Sequence, residues 1–326
     1  MSRLVAHLIA GLALAALCDA AYGGQEDDVN AVLDVKDEPA WNGLLNPDNT
    51  GTAATGKNHV GIVPRNARLF GPDHVASLQY GGRYNRYLAR RGDYEARLSY
   101  GFDYKTFKNY AELPGQQWGS DVTVHPLSIS YQGVWTPPGA QLSAALTALR
   151  NIPGGSNGTQ LDFTRARVGA SASYNILRLA ASLTKALPAD WQLRAIVNGQ
   201  YSSDALIPGE QFGAGGGSSV RGFSERELSN DSGLGTNVEL YTPNLCAAHA
   251  GWNCRALAFY DSAYLRRNRE LAGELSGTSV GSVGIGLRMR VSSHVNLQID
   301  YGHVVKAGAT NEGDANRLHF RLGFSY

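Results

Sequence analysis

The sequence predicts an all-β protein, a transmembrane antiparallel β-barrel of about 14 strands. Three observations predict it. Apolar and polar residues alternate along most of the chain, which is the period of a strand. The alternating segments run for about 9–13 residues, the length that crosses hydrocarbon at a tilt. Charged residues are only 17% of the 326 while glycine is 39 of them, against usual shares of roughly 25% and 7%. The net charge of +1 argues against a protein that neutralises nucleic-acid phosphates. Beyond the first 20 positions there is no apolar run of about 20 residues, so helical membrane spans are not expected.

The elements follow in chain order. Residues 1–21 have the layout of a secretory signal: Arg3, an apolar stretch from Leu4 to Leu17 broken by His7, then small residues at Ala20-Ala21. Leu17 before Cys18 speaks against a lipoprotein. Residues 22–39 read as a short periplasmic linker and 40–326 as the barrel. Export places the mature chain in an oxidising compartment. Cys246 and Cys254 then leave two readings open: a local disulfide, or a metal set with His249, whose spacing matches no standard zinc pattern. No metal and no cofactor is expected.

The strand pattern is explicit in several places. Ala96, Leu98, Tyr100 and Phe102 alternate with Arg97, Ser99 and Asp103. Leu177, Leu179, Ala181 and Leu183 alternate with Arg178, Ser182 and Thr184. Trp191, Leu193, Ala195 and Val197 alternate with Gln192, Arg194 and Asn198. Val283, Ile285, Leu287 and Met289 alternate with Gly284, Gly286, Arg288 and Arg290. Leu318, Phe320, Leu322, Phe324 and Tyr326 alternate with His319, Arg321, Gly323 and Ser325. Turn residues separate such segments, among them Gly81-Gly82, Arg91-Gly92-Asp93, Pro137-Pro138-Gly139 and Pro153-Gly154-Gly155. In a soluble sandwich the apolar face would be the core. Strand length, Arg and Glu beside Gly on the polar faces, and aromatics near strand ends (Tyr104, Trp135, Tyr201, Tyr241, Tyr264, Tyr326) favour a barrel with its apolar face toward lipid.

One region breaks the rhythm. Residues 209–235 form a long loop rich in glycine and charge, and long loops in compact structures are usually functional or disordered. It has neither the GK[ST] ending nor the G-x-G-x-x-G spacing of a phosphate cradle, and no G-x-S-x-G elbow.

Val220-Arg221-Gly222-Phe223, preceded by Glu210-Gln211-Phe212 and the run Gly215-Gly216-Gly217, resembles the inward-folded loop of the two-partner secretion transporters, the haemolysin secretion/activation proteins. Residues 237–244 resemble the strand after that loop. Phe259-Tyr260-Asp261-Ser262-Ala263 resembles the family's F-x-D-x-G strand motif, with Ala263 where glycine is usual. Residues 91–105 and 121–127, and the stretches around Trp41 and Asp48, also look familial. The resemblance implies that Arg221 locks the loop against the inner wall through Asp261, which lies on the same face as Phe259. It also implies a C-terminal barrel-assembly signal at Phe324 and Tyr326.

The sequence departs from the family in two places. Relatives carry periplasmic POTRA domains before the barrel, whereas residues 21–40 are too few for even one, since small domains need at least about 50 residues. The expectation is a barrel portion lacking them. Relatives have 16 strands; here the strand at 74–80 is followed at once by Gly81-Gly82 and the strand at 83–88, which reads as a two-strand deletion closed by a hairpin. Fourteen strands keep even parity. The implied function is export of an unfolded haemolysin- or adhesin-type protein without ATP, with possible activation of that cargo in the family's manner. The implied partners are that protein, the barrel-assembly machinery and outer-membrane lipid, with no nucleic acid. The second reading is a truncated passive channel. No catalytic set stands out, so an enzyme is not expected.

Overall fold

The computed structural model describes residues 41–48, 59–66, 74–78, 81–107, 112–113, 116–117, 121–292, 295–310 and 315–324. The expected export leader and linker, and Tyr326, lie outside the described residues. Fourteen strands form one antiparallel sheet in simple up-and-down order. They are β1 Trp41–Asp48, β2 His59–Asn66, β3 His74–Leu78, β4 Gly81–Tyr87, β5 Tyr94–Asp103, β6 Pro126–Trp135, β7 Ala140–Asn151, β8 Asn175–Ala186, β9 Gln192–Tyr201, β10 Ser232–Tyr241, β11 Trp252–Arg266, β12 Gly277–Val291, β13 Val295–Lys306 and β14 Asn316–Phe324. Each strand pairs with its neighbour in sequence, and β1 and β14 are the two ends of the sheet.

The hairpin expected near Gly81-Gly82 is present, with its bend one step earlier. Leu78 faces Gly82 and His74 faces Arg86, so the glycines open β4 rather than forming the turn. Even parity is preserved.

Up-and-down order puts alternate connections at opposite ends. From β4 onward, one end carries the links at 88–93, 136–139, 187–191, 242–251 and 292–294, none longer than ten residues, and the other carries 104–125, 152–174, 202–231, 267–276 and 307–315, the first three longer than twenty. Outer-membrane barrels have this asymmetry, with short periplasmic turns and long external loops.

The two faces differ as the alternation requires. On one, Ile129 (45% exposed), Leu146, Leu177, Val238, Tyr260, Ile285, Leu318 and Phe320 (77%) are open to the surroundings. An apolar surface of this extent calls for a non-aqueous partner, and a hydrocarbon bilayer meets the need. Near the short-turn end Tyr94 lies over Gly133 and its hydroxyl meets that of Tyr131 at 2.7 Å, an aromatic cluster at the level of Trp135 in the sheet. Tyr241 departs from the expected girdle: it points to the other face, 8% exposed, and donates to Glu239 at 2.7 Å.

The inner face is polar over β5–β9. Ser143 meets Ser182 at 2.7 Å, Thr147 donates to Ser130 at 2.8 Å and Arg97 to Gln132 at 2.7 Å. Toward the long-connection end of β11–β13 it becomes apolar, and there the long loop is seated. Ala214, Val220 and Phe223 from the loop pack on Ala263, Leu265, Val280 and Val304 from the wall. The register of β12 with β13 shifts between Gly281 and Ser282, leaving Val305 as the extra residue of a bulge. A second core lies beneath the external connections. It includes Phe163 of the short helix α1 (Gln160–Ala166), together with Val122, Val124, Tyr174, Leu206 and Ile207. Thr159 caps this helix in a capping box with Asp162.

Candidate functional site

The loop between β9 and β10 enters the interior and ends in Val220-Arg221-Gly222-Phe223. Gly215, Gly216 and Gly222 have φ of +109°, +98° and +95°, conformations that side-chain-bearing residues rarely adopt. At the tip, the backbone presses on the wall. A β-carbon on Gly302 of β13 would stand 2.8 Å from the Gly222 nitrogen and 2.9 Å from the Arg221 carbonyl carbon, so only glycine lets strand and loop touch here.

Contact at that distance delivers Arg221 to a carboxylate cluster. Its Nε donates to Asp261 Oδ2 at 2.7 Å, its Nη2 to Oδ1 at 2.8 Å and its backbone N–H to Oδ2 at 3.1 Å. The planar fork thus takes both oxygens of one carboxylate, a geometry lysine lacks. Nη1 donates to Glu239 at 2.7 Å and lies 3.3 Å from Asp300. The guanidinium carbon sits 3.5 Å from the centroid of the Phe259 ring, a cation–π contact. Asn237 gives Asp261 a further hydrogen bond at 2.8 Å. Arg288 closes the cluster, 2.9 Å from Asp300 and 3.8 Å from Glu239. Arg221, Asp261, Glu239 and Asp300 are all 5% exposed or less. Buried charges persist only when paired and hydrogen-bonded, and every one of these is. His319 on β14 accepts from the Gly222 N–H at 3.2 Å, and Glu225 accepts from the Gly217 N–H at 2.9 Å.

The expected residues Arg221, Asp261, Phe259, Val220, Gly222 and Phe223 therefore converge, four from the loop and two from β11. Gly217 lies near His319 and, unlike Gly215 and Gly216, has no positive φ. Cys246 and Cys254 lie in a disulfide at the short-turn end, away from the site. Phe324 closes β14. Glu239, Asp300 and Arg288 were not singled out from the sequence. Parity held the signal: Asn237, Glu239 and Tyr241 share one face of β10, and wall carboxylates are scarce in a chain so poor in charge.

A second buried pair holds the stem of the same loop. Arg167, just after α1, forks onto Asp231, which is fully buried. Asp231 also accepts from the backbone N–H groups of Leu206 at 2.8 Å and Asn268 at 2.6 Å. Three external connections are tied at one carboxylate. Glu210 adds a third tie, to Lys105 at 3.1 Å and Arg178 at 3.0 Å. Removing one partner of a buried pair costs about 3–5 kcal/mol. Arg167→Ala is therefore expected to open the external connections to limited proteolysis while the sheet survives. Cleavage unchanged from the wild type would show that this pair does not hold them.

At the opposite end Arg255 donates to both oxygens of Asp190 at 2.8 and 2.9 Å. These bonds, with the N–H of Asn244, hold the Asp190 carboxyl below the ordinary carboxylate range.

Comparison with known proteins decides what this arrangement is part of. The family model of the haemolysin secretion/activation proteins ShlB/FhaC/HecB matches residues 74–289, a span that contains the loop, the Asp261 strand and the hairpin. The chain belongs to this family. Outer membrane transporter CdiB of Dickeya dadantii (strain 3937) is 27% identical over 169 residues, 52% of this chain and 30% of that protein. Among solved structures, CdiB from Escherichia coli superposes with a TM-score of 0.64 at 19% identity, covering 90% of this chain and 64% of that one. BamA from Haemophilus ducreyi lacking POTRA domains 1-3 gives 0.55 at 13% identity, covering 86% and 61%. The chain thus spans less than two thirds of each of these relatives. The structural likenesses show a shared barrel fold.

Proposed function

We propose that this family member is an outer-membrane translocator of two-partner secretion, passing an unfolded haemolysin- or adhesin-type protein through its barrel without ATP. The observation that carries the reading is the clamped loop. A sheet with an apolar outer face holds a long external connection inside itself on a paired charge cluster, in a chain of the secretion/activation family. Such a loop occupies the interior by design, and its fixed charges set what shares the space with it.

Three supports are secondary. The glycine run of the loop serves close backbone packing, with Gly215 and Gly216 against Phe223 and Glu225, rather than a nucleotide cradle. The Ser, Thr, Gln and Asn side chains on the inner face of β5–β9 suit passage of an extended chain, whose peptide groups exchange hydrogen bonds with such groups. The N-terminal leader layout fits delivery to the barrel-assembly machinery, with Phe324 and Tyr326 as its C-terminal signal and outer-membrane lipid as the final surroundings.

The test is co-expression with a haemolysin- or adhesin-type partner, scoring the partner in the medium. Migration on unheated and heated gels reports the folded barrel in the same cells. Partner in the medium only when the barrel is present is the expected result. A heat-dependent shift without release would replace this reading with that of a passive channel, and the lack of a shift would remove the barrel itself.

A further inference from the structure

We propose that the outer face of β6–β9, at the end bearing the long connections, binds a phosphorylated glycolipid of the outer leaflet, with Arg150 taking the phosphate. The site follows from register. Ile129 of β6 faces Ala148 of β7, Ala148 faces Leu177 of β8, and Leu177 faces Tyr201 of β9. In this row the alanine is short and its neighbours are tall, so the surface dips between Ile129 and Leu177. The depression has a volume of about 600 Å³. Arg150 stands on β7 two residues beyond Ala148, between Leu127 and Asn175, at the upper end of the trough. It is exposed and has no ion-pair partner among the described residues.

Its depth is marked independently. Tyr201 closes β9 on the same side, 55% exposed, and tyrosines at such strand ends occupy the headgroup level. A guanidinium one residue pair above that row is therefore placed among headgroups, with acyl chains below it.

The charge pattern of the whole outer face selects an anion. On β4–β14, the described charged residues that register places on that face are all cations: Arg86 and Lys185 near the short-turn end, and Arg150, Arg266 and Lys306 at the long-connection end. Every Asp and Glu on those strands faces inward. Arg150 lines this trough, and Arg266 and Lys306 do not. A planar fork above an acyl-sized groove matches a phosphate carried on an acylated sugar, since guanidinium binds phosphate bidentately. The proposal needs only that the outer face meets lipid with the long connections on the outer side, so it stands apart from transport.

The experiment uses the folded full-length protein in neutral detergent, with lipid A as probe and retention read by native mass spectrometry. A heat-dependent gel shift confirms that each variant is folded. Wild type is expected to retain lipid A in preference to phosphatidylglycerol. Arg150→Gln should lower retention about tenfold, the effect of losing a charge-assisted contact. Ala148→Leu, which fills the trough and leaves the charge, should lower it as well, and Arg266→Gln should leave it unchanged. Equal loss in Arg150→Gln and Arg266→Gln would mean that rim charge alone attracts the lipid and would overturn the site. So would equal retention of phosphatidylglycerol, or full retention in Ala148→Leu.

Discussion

Arg221→Ala is expected to free the loop from the inner wall while leaving the sheet intact. The side chain neutralises Asp261, Glu239 and Asp300 together, and Arg288 remains to serve only the last two. Asp261 would keep its hydrogen bond from Asn237 but lose its cation in a site with no exposure. Breaking a buried pair from one side costs about 3–5 kcal/mol, which shifts the docked-to-free ratio by about two to four powers of ten. The cost falls on docking rather than on the wall, because the strand ladders on either side of Asp261 do not depend on the guanidinium. Single-channel recordings on purified protein should show altered conductance with frequent switching between levels, and a normal heat-dependent gel shift. Arg221→Lys should lie between, since a lysine keeps the charge but loses the fork and the stacking on Phe259. Conductance and partner release both unchanged in Arg221→Ala would remove the lock.

Gly302→Val is expected to produce much the same release with every charge in place. The new side chain must occupy the space where the Gly222 nitrogen and Arg221 carbonyl carbon lie within 3 Å of a β-carbon. Those neighbours are backbone and cannot rotate away, so the loop tip has to lift. Lifting it stretches all three Arg221–Asp261 hydrogen bonds at once. The strand itself tolerates valine, a good strand former. A conductance change matching that of Arg221→Ala would show that docking, not charge, sets the channel state. A Gly302→Val protein indistinguishable from wild type would show that the loop does not sit against β13.

Much of the fold could be read from period two. The segments β8, β9, β12 and β14 alternate cleanly because one face meets lipid and the other meets water or glycine. β11 resisted that reading. Leu257, Phe259, Ala263 and Leu265 point inward while Ala258, Tyr260 and Tyr264 point outward, so both faces are apolar. The loop is the reason, since it covers the inner wall here and makes a core where a lumen would demand polarity. Tyr241 deceived for a related cause. Its position at a strand end resembles that of a girdle residue, yet its parity matches Glu239 and its hydroxyl serves that carboxylate.

The candidate site was legible where the motifs lie and obscure where partners are supplied by parity alone. Arg221 and Asp261 stand in recognisable stretches forty residues apart. Asp300 stands in ordinary alternating sequence between Ile299 and Tyr301, and only the register of β12 with β13, which faces it to Gly286, brings it under Arg221. Helix α1 and the Arg167–Asp231 tie were invisible for another reason. Seven residues are too few to establish a helical period, and the pair is assembled from two separate external connections.

The most direct measurement of the docked loop is the distance between spin labels at Ser218, near the tip, and Gln141, on the inner face of β7, with Cys18 replaced by serine. Docking through Arg221 predicts one narrow distance distribution in the wild type that broadens in Arg221→Ala. A broad distribution already present in the wild type, or a narrow one that Arg221→Ala leaves unchanged, would contradict it.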